Sequence, residues 1–206
     1  HTPGIDVAMP STAGDAAGIL NSAFDSGRPT LIFYPKSCLN LVDAESTTSP
    51  DTEKQFVPIG KARVVRAGVD ITFVTYGNAT QLCLKVATSL EAIGVESEVI
   101  DLRWLSPWDE EAVLKSALKT AKVLVVHEDN YTCGMGSEVL ATIAEKSPIS
   151  IQLRRVARPD THIPCNFANQ LEILPSFKRI LEAAADLLDL EVEWAIPTQS
   201  NQGNST

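Results

Sequence analysis

Short apolar runs alternate with amphipathic stretches along most of this chain. Ile5 to Ala8 is a short apolar strand candidate, punctuated by Pro10-Ser11-Thr12. Thr12 and Asp15 stand in the S/T-x-x-D spacing of a capping box, which predicts a helix over 13–24. Asp25 to Pro29 stops it, and Thr30 to Tyr34 (TLIFY) is β-branched and aromatic, as a strand requires. Strand, helix and strand make one βαβ unit with a parallel pair. A single unit leaves its sheet incomplete, which suggests sequence missing upstream.

Residues 40–56 are polar, rich in Ser, Thr and acids, and interrupted by Pro50, so they read as a linker. Beyond Val57 the alternation resumes, with strands expected over 61–66 and 71–76. Gly77-Asn78 is a turn and helix cap. The helix that follows carries Leu82, Cys83, Val86, Ala87 and Leu90 on one stripe and ends at Gly94. A strand is expected over 96–102. Ser106-Pro107-Trp108-Asp109 then has the composition of a helix start, with a Ser cap, Pro in the first turn and an acid behind it. Lys115, Lys119 and Lys122 fall toward that helix's C-terminal end. Strand 123–127, helix 136–146, strand 149–157 and a helix opened by Pro175-Ser176 follow. In the last, Ile180, Leu181, Ala184, Leu187 and Leu188 face the core. From Glu191 the chain is a polar, flexible tail. The pattern predicts an α/β fold, a mostly parallel sheet with helices on both faces, and no internal repeat.

Composition narrows the partners more than the fold. Of 206 residues, 44% are hydrophobic and 21% charged, ordinary for a soluble globular chain. A net charge of −9 argues against nucleic acid or an anionic membrane as partner. No apolar run approaches a membrane span, and His1-Thr2-Pro3-Gly4 does not open a signal peptide. Cys38, Cys83, Cys133 and Cys165 form no C-x-x-C pair and no zinc spacing, so four reduced thiols are expected.

Candidate chemistry is sparse. Thr132-Cys133-Gly134-Met135-Gly136 opens a helix, and its glycines suit either a tight structural turn or a ligand contact. His127-Glu128-Asp129 stands at a strand's C-terminal end, where ligands of open α/β sheets bind. There His127 is an acid–base candidate or a structural histidine; the structural role is favoured. His162 lies in a Pro-bounded loop. Arg154, Arg155 and Arg158 could meet a phosphate or carboxylates, though a solvated edge or salt bridge is the safer expectation. Trp104 and Trp108 are packing or interface anchors. No nucleophile elbow, phosphate loop or metal cage follows from spacing.

One resemblance organises these fragments. Pro3-Gly4-Ile5 through Pro10-Ser11, Val57 to Ala62 (VPIGKA), Val74 to Gly77 (VTYG) and Glu98 to Arg103 (EVIDLR) with Leu105-Ser106-Pro107 occur in order. Val126-His127-Glu128, Pro159-Asp160-Thr161 and Leu174-Pro175 complete the series. Together they resemble the C-terminal part of the beta subunit, or fused beta region, of thiamine-diphosphate-dependent 2-oxo acid dehydrogenases (pyruvate or branched-chain type) of the transketolase superfamily. The resemblance implies that residues 1–40 are the end of a pyrimidine-binding domain, 41–56 a linker, 57–190 a transketolase C-terminal-type domain and 191–206 a tail. It implies thiamine diphosphate with magnesium in the parent enzyme. It also implies an alpha subunit or region, a second copy of the chain and a dihydrolipoyl acyltransferase core as partners. The compartment would be the cytoplasm, or the mitochondrial matrix in a eukaryote. The family's catalytic glutamate and active-site histidine precede this stretch, so no catalytic or cofactor-binding residue is carried over. A structural potassium site is implied at Ala23, Phe24 and Ser26, with Ser26 and Arg28 standing where the family has Asp and Asn. Tyr34 and Cys133 replace a usual acid and a usual Gly. A different transketolase-like enzyme, of transketolase or deoxyxylulose-phosphate synthase type, is the alternative, and a nucleotide-binding Rossmann protein a weaker one.

Overall fold

A computed structural model describes residues 2–38 and 54–191. The polar segment 40–53 and the tail beyond Glu191 lie outside the described residues. The first unit is the expected one: β1 (Asp6–Ala8), α1 (Ala13–Ser26) and β2 (Thr30–Ile32), with β1 and β2 parallel. Thr12 caps α1 by accepting from the Asp15 N–H at 3.1 Å, and Gly27, at φ 63°, closes it. The strand β2 stops at Ile32, two residues short of the predicted TLIFY run.

Eleven further elements follow. They are β3 (Arg63–Arg66), β4 (Ile71–Thr75), α2 (Asn78–Glu91), β5 (Ser97–Asp101), β6 (Trp104–Ser106) and α3 (Glu110–Thr120). After them come β7 (Lys122–Asn130), α4 (Met135–Lys146), β8 (Gln152–Arg158), α5 (Phe167–Ile173) and α6 (Phe177–Leu188). Five strands form one sheet in the order β3-β5-β4-β7-β8, parallel except for the edge strand β3. Successive side chains on a strand face opposite ways, and the core divides accordingly. Ile71 and Phe73 of β4 join Val86, Leu90, Ile180 and Leu187 under α2 and α6. Val74 joins Ile100, Val113, Ala117, Val139 and Ile143 under α3 and α4. Thr72 faces the second layer too, and its hydroxyl bonds Ser116 Oγ at 2.6 Å and Thr120 Oγ1 at 2.8 Å, so its burial between β4 and α3 is satisfied.

One expectation is corrected here, and one element is new. Ser106-Pro107 does not start a helix. Ser106 ends β6, the Ser106-Pro107 peptide is cis, and α3 begins at Glu110 with Asp109 accepting from the Ala112 N–H at 3.2 Å. The backbone of 104–106 is drawn into antiparallel pairing with β1, giving a second sheet in the order β2-β1-β6. A ladder on β1 outweighs a local capping signal. The helix α5, which the apolar pattern does not announce, buries none of its residues. Among the described residues no helix is long and apolar enough to cross a membrane.

Candidate functional site

The order of the five strands locates the crevice. The chain leaves β4 toward β5 on one side, and leaves β7 toward β8 on the other. The carboxyl ends of β4 and β7 therefore flank the topological switch point, where open parallel sheets bind ligands. Tyr76, Gly77 and Asn78 lie on one lip and His127 and Glu128 on the other.

His127 is fully buried there. Its ring stacks on Tyr76, with centroids 6.0 Å apart and planes 6° from parallel. Its Nε2 accepts the N–H of Gly136 at 3.1 Å. That bond caps α4, whose N-cap residue Gly134 offers no side chain. Burial pushes the imidazole down to about 4, opposed by the neighbouring Asp129 carboxylate. The ring is neutral at pH 7, and its Nε2 lone pair is committed to the helix. Histidine in this state is a cap and a packing plate rather than a proton carrier. The glycines of the turn follow from it: a Cβ on Gly136 would lie 2.2 Å from His127 Nε2, and one on Gly134 would lie 2.2 Å from the Asn130 carbonyl oxygen. The structural reading of the turn thus has a contact-level cause. Cys133, exposed at φ 59°, sits in a backbone region that favours glycine. Asn78 donates to Glu128 Oε1 at 2.9 Å across the crevice, which ties its two lips together.

A second polar cluster joins the two sheets, and sequence reasoning missed it. Arg103 follows β5 with φ 59°. Its guanidinium donates to Asp15 Oδ1 at 3.0 Å and to the carbonyls of Lys61 and Ala62, each at 3.1 Å. Arg63 binds the other Asp15 oxygen at 2.8 Å. Asp101, fully buried, accepts from the Ser11 hydroxyl and from the Arg103 N–H at 3.2 Å. Burial pushes the Asp101 carboxyl up to about 7, with Ser11 opposing that shift. Asp15, Ser11 and α1 belong to the first unit; Arg63, Asp101 and Arg103 belong to the second. The only hint in sequence was an acid and a base in a buried-type strand segment, DLR; the partner of Arg103, Asp15, is 88 residues away, and that of Asp101, Ser11, is 90.

The remaining candidates are engaged within the chain. Arg154 pairs with Asp186 at 2.7 Å. Arg155 lies 3.7 Å above the Tyr131 ring and donates to Ser137. Arg158 donates to Asn130 and to the Thr161 carbonyl. His162 is exposed. Trp104 is fully buried beside Ala8, Ile19 and Val57, while Trp108 is partly buried under α3. The four cysteines are unpaired thiols. Among the described residues no three His, Cys, Asp or Glu side chains converge to hold a metal ion.

Ala23, Phe24 and Ser26 form the last turn of α1, and this end of the helix fits the potassium ion that the resemblance implies poorly. The Ser26 hydroxyl donates to the Ala23 carbonyl at 2.8 Å, and the Gly27 N–H to the Phe24 carbonyl at 3.4 Å. The guanidinium of Arg28 lies 2.6 Å from Asp6 Oδ1. These oxygens already take part in hydrogen bonds, and the positive charge of Arg28, two residues on from Ser26, is spent on Asp6.

Comparison with known proteins agrees with this architecture. The family described as "Transketolase, C-terminal domain" matches residues 60–180. The 2-oxoisovalerate dehydrogenase subunit beta of Bacillus subtilis is 39% identical over 162 residues, covering 78% of this chain and 48% of that protein. The pyruvate dehydrogenase E1 component subunit beta of the same organism is 35% identical over 189 residues, covering 91% and 57%. A solved structure described as a split-gene transketolase, an inactive beta4 tetramer, superposes with a TM-score of 0.77 at 26% identity, covering 91% of this chain and 59% of that one. The chain spans about half the length of these relatives.

Proposed function

The chain belongs to the transketolase C-terminal domain family, and we propose that it is the C-terminal part of the beta subunit, or fused beta region, of a 2-oxo acid dehydrogenase's decarboxylating component. In that reading residues 1–40 close the pyrimidine-binding domain, 41–56 link, 57–190 form the transketolase C-terminal-type domain and 191–206 trail from it. The parent protein binds thiamine diphosphate with magnesium through residues upstream. It decarboxylates pyruvate or a branched-chain 2-oxo acid and passes the acyl group to a lipoyl arm. The cofactor supplies the carbanion-stabilising chemistry; this stretch supplies assembly. Its partners are an alpha subunit or region, a second copy of the chain and a dihydrolipoyl acyltransferase core. Its compartment is the cytoplasm, or the mitochondrial matrix in a eukaryote.

The observation that carries the assembly role is the state of the switch-point crevice. His127 there caps a helix, and Glu128 is bonded to Asn78. The beta4 tetramer of the transketolase chain, described as inactive, supports the same division of labour. That neighbour also keeps a second reading alive, a transketolase proper. The higher identity to the two dehydrogenase beta subunits favours the first. The test extends the chain upstream through the whole pyrimidine-binding domain, adds the alpha part and follows dye reduction by pyruvate and by branched 2-oxo acids. Thiamine-diphosphate-dependent turnover supports the proposal. A folded, cofactor-bound complex that turns over ketose phosphates and no 2-oxo acid overturns it.

A further inference from the structure

We infer that the α1–β2 turn carries its own cation: the Arg28 guanidinium, with the Ser26 hydroxyl, takes the place of a bound monovalent ion, so the fold is independent of potassium. Asp6 lies on β1, the middle strand of the three-stranded sheet, and only 2% of it is exposed. A carboxylate taken out of water needs a positive charge or several donors. Arg28 reaches back across the turn and donates to Oδ1 at 2.6 Å, while Oδ2 is buried without a hydrogen-bond partner. Arg28 is half exposed, so the guanidinium keeps much of its hydration while neutralising a buried acid.

The turn around it is closed by its own hydrogen bonds. Ser26 Oγ accepts from the Arg28 N–H at 3.1 Å while donating to Ala23. Thr30 Oγ1 donates to the Arg28 carbonyl at 3.1 Å, and the Asp6 N–H donates to the Pro29 carbonyl at 2.9 Å. A hard cation would need several free oxygens in one shell, and each carbonyl just named already accepts a hydrogen bond, which leaves it one lone pair at most. It would also sit beside a like charge, a repulsion that grows as water is excluded. The comparison with potassium rests on the dehydrogenase reading; the Arg28–Asp6 pair does not.

The test is thermal unfolding of the whole chain at one ionic strength, in KCl and in tetramethylammonium chloride, for the native sequence, Arg28→Gln and Arg28→Lys. An ion bound only by the folded state would raise Tm with its concentration. The native chain is expected to melt within about 1 °C in the two salts. Arg28→Gln should lower Tm by about 3–6 °C in both, with Arg28→Lys recovering part of the loss. A saturable rise of the native Tm with KCl overturns the inference. So does an Arg28→Gln chain that melts with the native one. Neither result depends on turnover of the parent enzyme, so failure here and failure of the dehydrogenase reading are separate events.

Discussion

The five-stranded sheet and the three-stranded sheet are built on different terms. The first buries both faces, with α2 and α6 over one and α3 and α4 over the other. The second has a small apolar cluster of Ala8, Ile19, Val57 and Trp104, and leaves Leu31 and Phe33 of its β2 side about half exposed. Its outer helix α1 leaves Phe24 80% exposed. The first βαβ unit is held to the rest of the chain by the β6–β1 ladder, by Trp104 and Val57 packed on Ala8 and Ile19, and by Arg103 and Arg63 on Asp15. The five-stranded unit rests on two large apolar layers; the three-stranded one rests on a small apolar cluster and a charged joint.

Breaking the joint should have the largest effect. Arg103→Ala leaves Asp15 and the Lys61 and Ala62 carbonyls short of donors, and losing one partner of a buried pair costs about 3–5 kcal/mol. Urea unfolding measures the loss. Hydrogen exchange should show β1 and α1 loosening before β4 and β7, which would sharpen the contrast; uniform loosening would blur it.

The joint should also be sensitive to pH through Asp101. Its folded-state value, about 7, is raised above that of the unfolded chain, so the folded protein binds this proton more tightly. The stability it contributes is full below about pH 4 and is lost as pH rises to about 7, at no more than about 1.4 kcal/mol per pH unit. Asp101→Asn keeps the shape and removes the titration. The difference between native and variant stability curves should slope over that window and flatten above it.

On the five-stranded side, Gly136→Ala drives a methyl into His127 Nε2. Overpacking and a lost cap should together cost about 2–4 kcal/mol in urea unfolding, without loosening β1 or α1. The smallest effect is expected at Cys133. Replacing it with Gly relieves a positive φ and should stabilise by about 0.5–1 kcal/mol, a shift visible in calorimetry.

Much of the five-stranded unit was legible because its helices and strands carry unambiguous periods. Cys83, Val86 and Leu90 mark the buried side of α2, and Ile180, Ala184 and Leu187 that of α6. Misreadings fell where long-range pairing decides local structure. Ser106-Pro107-Trp108-Asp109 has good helix-start chemistry, yet Trp104–Ser106 belongs to β1's ladder, and nothing within ten residues reveals that. Likewise Asp15 reads as half of a capping box; its carboxylate takes the Thr12 hydroxyl rather than the Thr12 N–H, and its second role on Arg103 and Arg63 lies far away in sequence. His127 was readable as a strand-end histidine. That its acceptor goes to Gly136 follows only once α4 folds back on β7.

The role proposed for this chain is assembly. Sedimentation of the purified chain, alone and with the alpha part of the parent enzyme, tests it most directly. The account predicts self-association, or a stable complex with the alpha part, and no 2-oxo acid turnover by the chain alone. A strict monomer with no affinity for a second copy, for the alpha part or for the acyltransferase core would contradict it.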